Sequence, residues 1–348
     1  MPAIHFWGLI IVLLLVLFLP FLIYKVEENL EIFLFLMGCC TVTLTGSWSS
    51  HLVKEGLVEP ISITMTVLIA GFIFRYFRDF IRKGIWSLEG QLGYPLFAFL
   101  LVTVLGLASG VMTAIIAALV LTEVISGLYL DRRSEILLVI LACFAIGLGA
   151  ALTPVGEPLS TIAVAKLRGE PYNAGFLFLL KLLGAYVVPA IVVTGLIAGF
   201  VHARAVRKEE SLRTATPETL SSLFIRSLKV YLFVMGLVFL GQGFRPMIDA
   251  YVSHLPWQVI YWVNSFSAVV DNATLTAAEI SPAMTLSQIR SALIALLLAG
   301  IGLIPGNIPN IISANKLGIS AKEWAKWGIP IALFSMLIYF VILSGISG

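Results

Sequence analysis

The sequence predicts an all-α polytopic membrane protein: an inverted repeat with two re-entrant hairpins and two broken transmembrane helices. Composition gives the class. With 59% hydrophobic residues, 12% charged residues and a mean hydropathy of +1.02, the chain lies outside the range of soluble domains, and long apolar runs recur along it. A second observation is the polar break Ile304-Pro305-Gly306-Asn307-Ile308-Pro309-Asn310 inside an apolar stretch from about Leu286 to Leu317. Each proline removes a backbone donor and clashes with the preceding turn, so a helix must open there. In lipid an opened backbone survives only when it is buried in protein or lines a wet cavity. The third observation is that the break occurs twice. Thr153-Pro154-Val155-Gly156-Glu157-Pro158 leads to Lys166-Leu167, and Gly306-Asn307 leads to Lys316-Leu317, with the same glycine-to-lysine spacing of ten. Matching broken segments in two halves of a chain point to a transporter's binding site.

Taken in order, Phe6 to Tyr24 predicts a retained span, since no basic residue precedes it and no small-residue cleavage pattern follows. Spans at 30–47 and 61–77 come next, then a basic turn with Arg75, Arg78, Arg82 and Lys83. Residues 92–130 are too long for one span and are interrupted by the small, polar run from Gly106 to Thr113, which predicts the first hairpin. Asp131-Arg132-Arg133 closes it, and the broken span 135–167 and a long span 174–203 complete a first repeat, 1–203. A charged cytoplasmic linker, 204–222, carries Arg207, Lys208, Arg213 and Pro217. The second repeat, 223–348, reads as a span at 223–243, a hairpin at 255–285 with its tip near Asp271, the broken span 286–317 and a last span at 324–345. Eight spans and two hairpins are expected.

Basic residues set the orientation, because cytoplasmic loops hold the excess of Lys and Arg. With both termini outside, sixteen Lys and Arg face the cytoplasm and five (Lys54, Lys166, Arg168, Arg245, Arg290) face out, while Lys181 snorkels from within a span. The first hairpin then enters from the cytoplasm and the second from outside, as an inverted repeat requires. The net charge of +3 says little about partners beyond the lipid bilayer and small inorganic ions, and nothing indicates nucleic acid. Cys39, Cys40 and Cys143 lie in apolar segments without metal spacing and read as packing residues.

The candidate site gathers polar residues at the tips and breaks. Around the second tip, Asn264, Ser265, Ser267, Asp271, Asn272, Thr274 and Thr276 offer a carboxylate, amides and hydroxyls, the oxygen ligands that a hard cation takes. An ionisable residue inside a membrane segment is costly, so Asp271 reads as functional, with Asn272 beside it as a Na⁺ ligand. The first tip offers Ser109 and Thr113, with Thr113-Ala114 laid on Thr276-Ala277. The first break adds Thr153, Gly156 and Glu157, flanked by Ser160 and Thr161; Glu157 is expected to titrate or to hold a second cation, with Thr161 on its helical face. The second break adds Gly306, Asn307 and Asn310. Glu123 and Glu279 read as facing water, and the four histidines are scattered near span ends.

This order of tip, Thr-Pro-x-Gly break, Lys-Leu, second tip with Asp-Asn and Gly-Asn-x-x-Asn break resembles the ion transporter superfamily of arsenite permeases, sodium/proton antiporters and sodium-coupled dicarboxylate symporters. It resembles most a group of putative cation transporters within it. The resemblance implies a homodimer of inverted repeats, with a scaffold of outer spans and a moving domain of hairpins and broken helices. It also implies two cation sites, at Ser109 with the 153–156 break and at Asp271-Asn272 with the 304–306 break. The first tip lacks the asparagine usual in the symporters.

The expected function is secondary transport in the cell membrane, exchanging Na⁺ for protons by alternating access, because acids and no arginine occupy the core. The alternative is a sodium-coupled anion symporter, in which Asn307, Asn310 and helix N-termini hold a dicarboxylate or oxyanion. No metal-ligand spacing, nucleophile-base pair or phosphate-cradling loop is present, so neither an enzyme nor a bound cofactor is expected.

Overall fold

The computed structural model describes residues 3–23, 25–26, 29–128, 130–202, 220–251, 255–265 and 272–347. Asp271, the rest of the second hairpin tip and most of the 204–222 linker lie outside these residues. The chain is helical throughout its ordered elements: α1 (Ala3–Leu22), α2 (Leu30–Thr45), α3 (Ser50–Leu92), α4 (Tyr94–Met112), α5 (Ala114–Gly127), α6 (Arg132–Ala150), α7 (Pro158–Lys166), α8 (Phe178–His202), α9 (Leu220–Tyr251), α10 (Trp257–Val263), α11 (Asn272–Glu279), α12 (Leu286–Ala299), a 3₁₀ turn (Ile304–Gly306), α13 (Ile308–Leu317) and α14 (Ala321–Ser347).

Among the described residues, five helices are long and apolar enough to cross a membrane: Tyr94–Met112, Arg132–Ala150, Phe178–Val201, Leu223–Met247 and Ala321–Gly345. The protein is thus an all-α polytopic membrane protein. The expected eight spans differ from these five for physical reasons. The first two predicted spans are shorter apolar helices, the span expected at 61–77 is part of α3 and the second broken span divides into short pieces, whereas the first broken span supplies Arg132–Ala150 and the first hairpin arm, Tyr94–Met112, is itself span-length. The basic turn expected at 75–83 is not a turn. Residues 50–92 form one helix of 43 residues, about 65 Å long at 1.5 Å per residue and twice the thickness of a bilayer core. Arg and Lys are good helix formers, and no proline after Pro60 stops the run.

Residues 92–130, expected as a re-entrant hairpin, fold as two helices with a narrow tip: the Gly106–Met112 run is the last two turns of α4, and only Thr113 separates α4 from α5. Thr113 has φ 74°, the left-handed region, and its hydroxyl accepts the Ile116 N–H as the cap of α5. The overlay of Thr113 on Thr276 does not hold. Thr113 precedes its helix, whereas Thr276 lies within α11, at least one turn from its beginning. The first arm, α4, is itself span-length, so the two arms of this hairpin are unequal.

α6 is the centre of the molecule, with 89% of its span buried, packed between α4 and α8 and touched by α5, α13 and α14. α4 and α6 approach so closely that a Cβ on Gly149 would run into the Gly106 carbonyl. The halves interlock: α5 of the first hairpin packs on α13, after the second break, and α11 of the second hairpin packs on α7, after the first. Outside this unit, α9 packs along α2 and α3, while α3 also contacts α5 and α9 contacts α11.

One end of the bundle is tied by charge. Arg132 grips Glu323 through Nε and Nη2, both at 2.8 Å, reaches Glu135 at 3.1 Å, and donates to the Leu317 and Gly318 carbonyls at the end of α13. Lys316 Nζ lies 2.6 Å from Glu123 Oε2, with both side chains largely buried. Glu123 therefore does not face water; it joins the first hairpin to the second broken helix. Removing one partner of such a pair costs about 3–5 kcal/mol, because a buried charge remains. Lys316→Met should lower the unfolding temperature in detergent steeply, and Lys316→Met with Glu123→Leu should recover most of that loss. Equal losses in the single and double variants would contradict the pairing.

Candidate functional site

The two breaks are built alike. Pro158 and Pro309 stand in the first turn of α7 and α13, the position where a missing N–H costs nothing. Glu157 and Asn307 cap these helices with nearly the same extended backbone, φ −157° and −156°. Gly156 N donates to Thr153 O and Gly306 N to Leu303 O, each at 3.2 Å. A Cβ on Gly156 would run into the Ala150 carbonyl, and one on Gly306 into the Gly300 carbonyl. Ala150 pairs with Gly300, Gly156 with Gly306, Glu157 with Asn307, Ser160 with Asn310 and Lys166 with Lys316, always 150 positions on.

The polar side chains of the first half are engaged inside it. Ser109 Oγ–H is shared between the carbonyls of Gly106 (2.7 Å) and Ile146 (2.8 Å), and the residue is fully buried. The Thr153 hydroxyl donates to the Gly110 carbonyl, tying the break to the hairpin, and Ala114 N donates to Gly156 O at 2.9 Å. Ser160 Oγ spans the Ala150 (3.2 Å) and Glu157 (2.8 Å) carbonyls. Thr161 closes back on the Pro154 carbonyl at 2.5 Å rather than sharing a face with the Glu157 carboxylate, because Glu157 sits before the helix and not on it. The hydroxyls expected to ligate a cation thus fasten the tip to the break.

The second half is built with amides. Asn310 Nδ2 donates to Gly300 O at 2.9 Å and Leu303 O at 3.0 Å, the carbonyls freed by the opening, so this amide does what Ser160 does in the first break. Among the described residues its Oδ1 is buried without a hydrogen-bond partner, and so are both amide atoms of Asn272. Asn272 is 5% exposed and Asn310 1%. The place a Cβ on Gly300 would take lies 2.7 Å from Asn272 Nδ2 and 2.8 Å from Gly306 O, so the second tip meets the second break there. Thr276 donates to Asn272 O at 2.9 Å, which keeps its hydroxyl within α11. Thr274 lies in α11, and Asp271 falls outside the described residues. Asn307 reaches across to α6, where a Cβ on Gly147 would collide with its amide.

Two cavities lie between this unit and helices α2, α3 and α9. One, about 440 Å³, is lined by Thr113, Gly156, Glu157 and Ile308 on one wall and by Glu59 and Val234 on the other. The second, about 420 Å³, runs from Glu31 and Lys229, paired at 3.1 Å, to Ile304 and Ile311 at the second break. An apolar cluster of Ile63, Val67, Ala118, Leu119, Val230, Val234 and Ile312 shares Ile63 and Val234 with the first cavity and Val230 with the second. Sequence reasoning missed Glu59, which carries no break or motif to mark it.

Two outcomes check this geometry. Asn310→Ala strips a side-chain donor from the Gly300 and Leu303 carbonyls, at about 1–3 kcal/mol for buried acceptors left bare, and should lower thermal stability accordingly, whereas exposed Asn315→Ala should be near neutral. Gly156→Ala and Gly306→Ala force a methyl into a backbone carbonyl and should each cost about 1–3 kcal/mol or more; Gly175→Ala, with open space around it, should cost little. A denaturation series in which Gly175→Ala matches the other two would sink the close-approach account.

No curated protein matches the chain. A family model described as "Protein of unknown function (DUF1646)" matches residues 6–346, almost the whole length and both broken helices. The chain belongs to that DUF1646 family.

Proposed function

We propose that the protein is a secondary active transporter of the ion transporter superfamily type, exchanging Na⁺ for protons by alternating access. The observation that carries this reading is the second break, where Asn272 Oδ1 and Asn310 Oδ1 are buried without a hydrogen-bond partner among the described residues and the Asn272 amide and the Gly306 carbonyl both border the space beside Gly300. Buried polar groups are nearly always satisfied, and each exception calls for an explanation. A monovalent cation held by amide and carbonyl oxygens explains both of these oxygens at once, and the sequence sets a carboxylate, Asp271, next to Asn272 to supply charge. The first half-site, whose hydroxyls are spent on its own carbonyls, acts in this reading as a fixed clasp rather than as a second cation site. Glu157 and Glu59 line the neighbouring cavity without a lysine or arginine, which suits cation entry better than anion entry.

Alternating access is supported by two cavities that share residues with one apolar cluster, each lined by the hairpins and breaks and by α9 with α2 or α3. The interlocked unit is the moving domain in this account, and α1, α2, α3 and α9 are the scaffold and dimer contact. The two broken helices are related as an inverted repeat, the cell membrane is the site of action, and both termini lie outside.

Reconstituted vesicles test the reading. An imposed Na⁺ gradient should drive a lumenal pH change with no organic or oxyanion substrate present, and Asn272→Ala should weaken apparent Na⁺ affinity by roughly ten- to a hundredfold, the equivalent of about 1–3 kcal/mol. If pH stays constant until an anion such as a dicarboxylate is added, and sodium uptake then follows the anion, exchange is excluded.

A further inference from the structure

The far end of α11 holds a second group of buried polar atoms that the cation site does not use. Glu279, expected to face water, is 4% exposed, and Asn264, after the last turn of α10, is 1% exposed. Asn264 Nδ2 donates to Glu279 Oε2 at 2.9 Å and also approaches the Ala292 carbonyl of α12 at 3.4 Å. Glu279 Oε1 and Asn264 Oδ1 are both buried with no hydrogen-bond partner among the described residues. One amide–carboxyl pair therefore has a hydrogen bond on one side and two bare acceptor oxygens on the other. Two acceptors cannot satisfy each other, but a single proton between them can.

We propose that Glu279 with Asn264 is a buried proton-binding site, and that it carries the proton exchanged against the cation. The proton adds to Glu279 Oε1, forming an O–H bond that donates to Asn264 Oδ1, and the carboxylate becomes neutral; on release the O–H bond breaks and the charge returns. Three features favour the neutral acid. An isolated carboxylate is very costly to bury. Glu279 ends α11, where the negative end of the helix dipole opposes an anion. No cation compensates it among the described residues: of the helices packed on α11, α7 carries Lys166, α9 carries Arg245 and the Glu31-paired Lys229, and α12 carries Arg290, whose guanidinium lies 5.2 Å from the Tyr186 ring centroid, yet none of these forms an ion pair with Glu279. A hard metal cation wants more oxygens than this pair offers.

The inference rests on the exchange reading for its role, and α11 supplies the link. Asn272 and Glu279 both lie on this helix, seven positions apart, so one rigid element joins the cation amide to the proton acid over about 10 Å. A shift of α11 that improves one set of contacts disturbs the other.

Infrared difference spectra of the purified protein across neutral pH test the site directly. The wild type should show a carboxylic-acid carbonyl band that Glu279→Gln removes and Glu157→Gln leaves; Glu279→Asp, which keeps the acid on a shorter stem, should shift the band and guards against misfolding of the first variant. A band untouched by Glu279→Gln overturns the proposal, as does retention of a metal cation at Glu279 in place of the band. Sodium binding over the same range tests the role: apparent Kd should rise with acidity by up to about tenfold per pH unit in the wild type and become flat in Glu279→Gln. Full pH dependence in that variant refutes the coupling. Absence of sodium binding by the wild type at every pH would defeat the exchange reading itself, leaving the infrared band to decide the proton site.

Discussion

An opened helix in hydrocarbon leaves carbonyls and amides that water cannot reach, and every other feature of the site follows from how they are satisfied. In each half the first freed carbonyl, Ala150 or Gly300, is met by a side chain ten residues on, Ser160 or Asn310. A glycine midway, Gly156 or Gly306, lets the chain fold back against that carbonyl. Proline in the first turn of α7 and α13 restarts the helix without wasting a donor. The breaks are as strictly bonded as the helices they interrupt.

What differs between the halves is the chemistry of the pin. A serine hydroxyl spends its one proton on backbone and leaves little over, whereas an amide gives two donors and still presents an oxygen. Ser109, Thr153 and Ser160 therefore close the first half on itself, while Asn272 and Asn310 leave buried oxygens in the second. A duplicated frame thus supports two unlike chemistries, a closed clasp in the first half and, in the proposed reading, a binding site in the second. Cross-links between the halves, Glu123 with Lys316, Arg132 with Glu323 and Cys143 Sγ at 3.3 Å from Ser313 Oγ, make the hairpins and breaks one body.

The fold class and both breaks were legible because proline, glycine and hydropathy act locally, and the 150-position recurrence from Gly156 to Gly306 is visible without any structure. The use made of the hydroxyls was not. A serine that ligates an ion and one that pins a carbonyl look the same in a sequence, and only contacts such as Ser109 to Ile146, 37 residues apart, tell them apart. Glu123 read as wet because its partner Lys316 lies 193 residues away. Glu279 misled for the same reason: its burial depends on α10 and α12 closing around it, not on its neighbours in the chain. The basic run in α3 shows the converse error, since charge marks a water-facing surface but does not end a helix.

The central claim is that the second break alone holds a cation. Equilibrium binding of radioactive sodium to the purified protein measures this most directly. The account predicts saturable binding of one ion per protomer, weakened roughly ten- to a hundredfold in Asn272→Ala and unchanged in Ser109→Ala. Two ions per protomer, or binding that Ser109→Ala removes and Asn272→Ala leaves intact, would contradict it.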